Sequence, residues 1–327
     1  MNPLVTPVTI PQPDFKITYR NRLFFMGSCF SEYMGKRLKD LQFQTISNPF
    51  GVLYNPMSVS AGLEQLLDME CYTEEDLSFY NELWFSYSHY TLFSHTDKEA
   101  CLSAINKSFT EAKIGIAEAD FIFLTLGTSW VYYLKESGKV VANCHKQPAS
   151  FFDRNFLPVE KTVEVLKQCI ERISKKNPSA RFIFTISPIR HWKNGAIGNQ
   201  RSKAALILAI DELQKWNNSI YYFPAYEIFM DELRDYRFYA GDMLHPSESA
   251  QNFIFSRFVN TFISEEDQDI IRNIEKILTS IEHKPRFPDT ESYRKFRASI
   301  NRNIAELKSR YTYIQWDDLS EKFSEIV

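Results

Sequence analysis

No run of eighteen or more apolar residues occurs anywhere in this 327-residue chain, so no membrane-spanning helix is expected. A basic excess is missing as well: 38 Lys and Arg stand against 41 Asp and Glu, a net charge of -3, which argues against nucleic acid as a partner. Cysteine is scarce. Cys29, Cys71, Cys101, Cys144 and Cys169 are odd in number, widely spaced and without a C-x-x-C pair, so neither a disulfide framework nor a structural zinc site is indicated. Cys144 and His145, taken with Asp242 and His245, lack any recognised metal-ligand spacing. No G-x-G-x-x-G or Walker sequence follows a strand-like run, which leaves nucleotide binding without support, and no cofactor is called for. Met1 to Pro7 carry neither a basic n-region nor a long apolar stretch, so a chain without a signal peptide, in a reducing cytoplasm, is the expectation.

What is present fits a folded α/β protein: 44% of residues are hydrophobic and 24% charged. Residues 1–22 hold four prolines and predict an extended lead-in. Leu23 to Met26 is an apolar run ending on Gly27-Ser28, and Phe30, Met34, Leu38 and Leu41 then recur at helical spacing. A strand that breaks at glycine and re-enters as a helix leaves a serine beside unpaired N–H groups and a positive dipole end. That suits a nucleophile, and it equally suits an N-cap.

Further strands are predicted at 43–47, 121–126, 181–187 and 220–223, and a small hairpin at 131–141. Helices are predicted at 58–69, 97–117, 159–175, 199–216 and 248–263. The alternation gives the expected fold class, a three-layer α/β/α sandwich with a mostly parallel sheet. The main domain is expected over residues 23–263. Residues 264–327, charged and interrupted by Lys284-Pro285-Arg286-Phe287-Pro288, are expected to be a helical extension packed on it.

Asp242 and His245 sit at i and i+3 in a loop before a helix. That spacing lets a carboxylate accept from the imidazole Nδ1–H and leave Nε2 free as a base, or it serves only to cap the loop. In a parallel sheet the loops at the carboxyl ends of the strands converge, so Ser28 and His245 can share one face. Arg190 and His191 end another strand there, as binders of a substrate carboxylate or phosphate or as partners of an acidic neighbour. His89 lies in an aromatic segment that either covers the cleft as a lid or is an ordinary loop. Trp84 and Trp130 either stack on a sugar or pack in the core. Cys29, next to Ser28, is expected to be a small buried thiol.

Gly27-Ser28-Cys29-Phe30-Ser31 resembles the motif that gives the GSCFA family its name, with Ser31 in place of its alanine. Asn48-Pro49-Phe50-Gly51, Thr125-Leu126-Gly127-Thr128-Ser129-Trp130, Asn143-Cys144-His145, Ser187-Pro188-Ile189-Arg190-His191 and Asp242-x-x-His245 resemble that family's other blocks in the same order. The family is placed with the SGNH/GDSL-type hydrolases, which implies a flavodoxin-like sheet and acyl-ester chemistry. By that resemblance Ser28 is the nucleophile, His245 the base and Asp242 its orienting carboxylate. The Ser28 and Gly51 N–H groups form an oxyanion hole.

Ser129 stands where those enzymes have an asparagine, so the Ser129 hydroxyl or the Asn143 amide is the expected replacement donor. Gly127, Trp130, His145, Arg190, His191 and His89 are the candidate substrate contacts. The function implied is a serine esterase or deacetylase acting on a small-molecule or glycan ester. An acyltransferase using the same serine and a binding protein that has lost catalysis are the alternatives. A nucleophile in place predicts a Ser28 Oγ to His245 ring distance of about 2.6–3.2 Å, or somewhat longer without ligand.

Overall fold

Arg22–Gly27 form a strand because Leu23, Phe24, Phe25 and Met26 are apolar without a break, as a strand covered on both faces requires. The computed structural model describes residues 5–282, 286–287 and 289–316. Its strands are β1 (Arg22–Gly27), β2 (Gln44–Ser47), β3 (Ser78–Tyr80), β4 (Leu83–Phe85), β5 (Phe121–Leu126), β6 (Trp130–Leu134), β7 (Val140–Val141), β8 (Phe152–Phe156), β9 (Arg181–Ile186) and β10 (Ile220–Phe223). The helices are α1 (Cys29–Asp40), α2 (Pro56–Asp68), α3 (Lys98–Glu118), α4 (Val159–Lys176), α5 (Gly195–Trp216), α6 (Ala225–Glu227), α7 (Glu248–Phe262), α8 (Glu265–Glu282) and α9 (Glu291–Arg310).

Five strands make one parallel sheet in the order β10-β9-β5-β1-β2. This is the flavodoxin-like order, and it reverses between β1 and β5, where such sheets bind their ligands. Side chains alternate between two cores. Leu23 and Phe25 join Phe30, Met34 and Leu38 of α1 and the buried faces of α7, α8 and α9. Phe24 and Met26 join α2, α3, α4 and α5 on the opposite face. The three-layer sandwich expected from the sequence is therefore the observed fold. Each apolar side chain that α1 buries contributes on the order of 1.5–3 kcal/mol, which exceeds what its helix propensity supplies.

The hairpin expected at 131–141 is one edge of a three-stranded antiparallel sheet, β7-β6-β8. In the aromatic segment, for which a lid and an ordinary loop are the alternatives, Phe85 and His89 turn inward while Tyr90 and Leu92 stay exposed. β3 and β4 form a hairpin, and Phe85 and His89 are 2% and 1% exposed. Among the described residues no helix is long and apolar enough to cross a membrane. The C-terminal helices bury Ile270, Ile274, Ile277, Ile300 and Ile304 against the α1 and α7 side of the sheet. The Lys284-Pro285 and Pro288 positions and residues 317–327 of the expected extension lie outside the described residues.

Candidate active site

β1 ends on a residue that only glycine satisfies. Gly27 has φ +144°, and a Cβ there would stand 2.2 Å from the Thr125 carbonyl oxygen of the neighbouring strand. Its N–H donates to Asn48 Oδ1 at 2.9 Å, and its carbonyl accepts from Leu53 N–H at 2.8 Å. The loop after β2 is thereby fastened to the end of β1. Gly51 in that loop has φ +73° and lies against Tyr90.

Ser28 follows as the N-cap of α1. Its Oγ accepts from the Phe30 N–H at 3.3 Å, and the residue is 1% exposed. Its own N–H donates to the Thr125 carbonyl at 3.1 Å. No hydrogen bond joins Ser28 to the His245 ring among the described residues, so the short contact expected from the sequence is not formed. The Ser28 side chain is the buried cap, because an extended N-cap residue turns its hydroxyl back over the first helical turn.

Cys29, one residue on, is half-buried. Burial pushes its thiol pKa up, while the N–H groups of Cys29 and Phe30 and the nearby Lys203 charge pull the other way. Among the described residues the Cys29 N–H donates to no backbone carbonyl and faces its own thiol.

Of the other expected oxyanion donors, Gly51 and Ser129 are engaged. Gly51 N–H donates to the Asn48 carbonyl at 2.7 Å. Ser129 is 0% exposed, donates its N–H to Ser202 Oγ (2.7 Å) and donates its hydroxyl to the Ser202 carbonyl (3.0 Å). Ser129 therefore clamps the end of β5 to α5, which corrects its expected role as a donor. Asn143 Oδ1 accepts from His145 N–H at 2.8 Å and so shapes its own turn.

Asp242 and His245 meet as the i, i+3 spacing predicts. His245 Nδ1–H donates to Asp242 Oδ2 at 2.5 Å, and Asp242 Oδ1 accepts from the N–H groups of Leu244 (3.0 Å) and His245 (2.9 Å). Those backbone donors, followed by the imidazole, hold the Asp242 pKa down at about 2. Both side chains are about half exposed, and Nε2 of His245 has no partner among the described residues.

His191 lies between this turn and the sheet. Its Nε2 stands where a Gly127 Cβ would come within 2.9 Å, and its ring meets Tyr54 edge-on at 5.2 Å between centroids. Burial, then the positive charges of Lys203, Arg154 and His245, lowers its pKa to about 4. It is neutral at pH 7.

Several candidate contacts have other work. His89 is enclosed by Phe50, Tyr72 and Phe93, with its pKa lowered by burial to about 3. That enclosure removes it from the substrate contacts, because the ring has no access. His145 bonds the Ser86 carbonyl at 3.0 Å and stacks on Phe85. Trp130 packs against Phe156 under the Arg154 guanidinium. Gly127 N–H donates to the Tyr54 carbonyl at 2.8 Å. Of the candidate substrate contacts, Arg190 lines an open cleft, which it shares with Asp242. Among the described residues no His, Cys, Asp or Glu group is arranged to hold a metal.

Sequence reasoning missed Lys203. It is 1% exposed and donates to the Ser187 carbonyl at 2.7 Å. The signal was its place on the apolar stripe of α5, in register with Leu206, Ile210 and Leu213. Burial lowers its pKa from 10.5 to about 7. Because the folded value lies below the unfolded one, the unfolded chain binds the extra proton between those pH values, and stability rises with pH across that window. From pH 7 to 9 the gain is roughly 2 kcal/mol, to be read in urea unfolding as the part of the slope that Lys203→Met removes. A slope unchanged by that substitution would assign the pH dependence to other groups.

The family model described as GSCFA family matches residues 22–258, and that of the GSCFA domain protein, C-terminal domain, matches residues 274–326. No curated protein matches the chain.

Proposed function

The chain belongs to the GSCFA family, and from that premise and the site geometry we propose that it is an acyl-transfer enzyme, an ester hydrolase of the SGNH kind. The observation that carries this is the Asp242–His245 pair, a base whose tautomer is fixed by a carboxylate while Nε2 stays open. His245 Nε2 takes the proton of a nucleophile at the start of α1, and the nucleophile attacks an ester carbonyl. The leaving alcohol departs with the proton returned by His245. A water, deprotonated in turn by His245, then releases the acyl group.

In the family resemblance the nucleophile is Ser28. A specific observation favours Cys29 instead: Ser28 is the buried cap, whereas Cys29 is half-buried and its N–H donates to no backbone carbonyl among the described residues. On this reading both roles, nucleophile and backbone oxyanion donor, fall to Cys29. The Cys29 N–H and the helix dipole behind it would receive the oxyanion, since the N–H groups of Phe30, Ser31 and Glu32 are bonded to Ser28. The natural acyl group and acceptor belong to the same proposal, with transfer to a sugar hydroxyl as the variant of the last step.

A binding protein on this fold is the second reading, favoured by the engaged N–H groups of Ser28, Gly51 and Ser129. Short nitrophenyl esters separate the two. Turnover with a transient acyl adduct, located on the α1 N-terminus by mass spectrometry, is the expected result. A wild-type protein that gives neither turnover nor adduct is a binding protein.

A further inference from the structure

The cleft beside the catalytic turn has a volume of about 580 Å³, within the range of small-molecule sites. Trp192, Met230, Tyr236, Tyr239 and Leu244 give it an apolar and aromatic wall, and Arg190 reaches it from the loop after β9. Trp192 is 49% and Tyr236 80% exposed, more than folding alone requires of such side chains.

The other charges at the cleft are accounted for. Arg234 pairs with Asp231 at 2.8 Å, Asp235 with Arg237 at 3.6 Å, and Asp242 with His245. Arg190 forms no ion pair with a described residue. Its guanidinium lies over the Trp192 ring at 4.9 Å, and its Nε is buried without a hydrogen-bond partner. Because Nε is sealed from solvent, the terminal guanidinium nitrogens are the donors that a ligand in the cleft would meet. Planar paired donors suit a carboxylate or a phosphate.

We infer that this cleft binds the anionic part of the substrate, a carboxylate or phosphate held by Arg190, with an apolar or ring-shaped body against Trp192, Tyr236 and Tyr239. For the claim that the ligand is an ester, the inference rests on the acyl-transfer reading; anion binding itself does not. The Asp242 turn forms one wall of the cleft, so the anchored anion sets the distance between the substrate's charged end and His245.

Two measurements on the full chain test it. In calorimetry, benzoate and phenyl phosphate are expected to bind and neutral benzamide to bind at least tenfold more weakly. Arg190→Gln is expected to weaken both anions tenfold or more, and Arg190→Lys to restore part of that loss. The tighter of the two anions identifies the headgroup.

In kinetics, the nitrophenyl monoester of glutarate is expected to exceed nitrophenyl valerate at least tenfold in kcat/KM, a ratio that Arg190→Gln brings toward one. Anions bound no better than benzamide, or bound equally by Arg190→Gln, overturn the inference even if esters are turned over. Arg190-dependent anion binding without ester turnover sustains it and removes the hydrolase.

Discussion

Replacing His245 by alanine is expected to lower kcat/KM for a nitrophenyl ester about 10³–10⁴-fold, the scale set by losing a positioned general base. The imidazole contributes nothing to the core. It is half exposed, its ring nitrogen Nδ1 touches Asp242, and the helix that follows is capped by Ser247, not by His245. The melting temperature of the variant is therefore expected to stay near that of the wild type, which makes the activity loss readable as chemistry. Asp242→Asn is expected to cost about 10²–10⁴-fold, because an amide can present its NH2 to Nδ1 and invert the tautomer that leaves Nε2 basic. Asparagine keeps an oxygen for the Leu244 and His245 N–H groups, so the turn itself persists. Stopped-flow or steady-state release of nitrophenol measures both. A His245→Ala protein within threefold of wild type would remove the pair from the mechanism.

Asp242 and His245 were legible in the sequence because a hydrogen bond across three residues is a local property that spacing encodes. The sheet was legible for a similar reason. Unbroken apolar runs at 23–26, 121–124 and 182–184 have no other stable place than strands covered on both faces. Facts that depend on distant neighbours were not legible. Ser129 is locked by Ser202, 73 residues further along, and His89 is enclosed by rings from the loop after β2, the stretch after α2 and the turn before α3. Nothing in either residue's own surroundings announces this. Lys203 was legible and passed over. A lysine on the same stripe as three buried aliphatic residues is a local conflict, and such conflicts concentrate where a fold carries function. Ser28 and Cys29 form a harder case, because adjacent residues at a helix start diverge by about 100° and hydrophobic periodicity does not assign either one to the open side.

Cys29→Ala is expected to abolish acyl-adduct formation and to lower ester turnover by about 10³-fold or more, whereas Ser28→Ala is expected to leave turnover within about tenfold of wild type. The sequence alone predicts the reverse order, with Cys29 inert. The reversal rests on where the two side chains lie. Ser28 Oγ serves the Phe30 N–H at 3.3 Å and is sealed from solvent, so its use as a nucleophile would require the cap to open. Removing that cap is expected to cost about 1 kcal/mol of stability, a loss visible in the urea midpoint and not in the chemistry. The Cys29 thiol is half-buried and is not the cap of α1. Its raised pKa keeps it protonated at pH 7, so it depends on a base. In the proposed mechanism that base is His245, so the Cys29→Ala and His245→Ala losses are expected to be far from additive, the double variant falling little below the worse single one. Cys29→Ser tests the same point from the other side: a hydroxyl at that position retains part of the activity if position 29 faces the ester. If Ser28→Ala instead removes the adduct and Cys29→Ala does not, the cap opens during catalysis and the serine is the nucleophile.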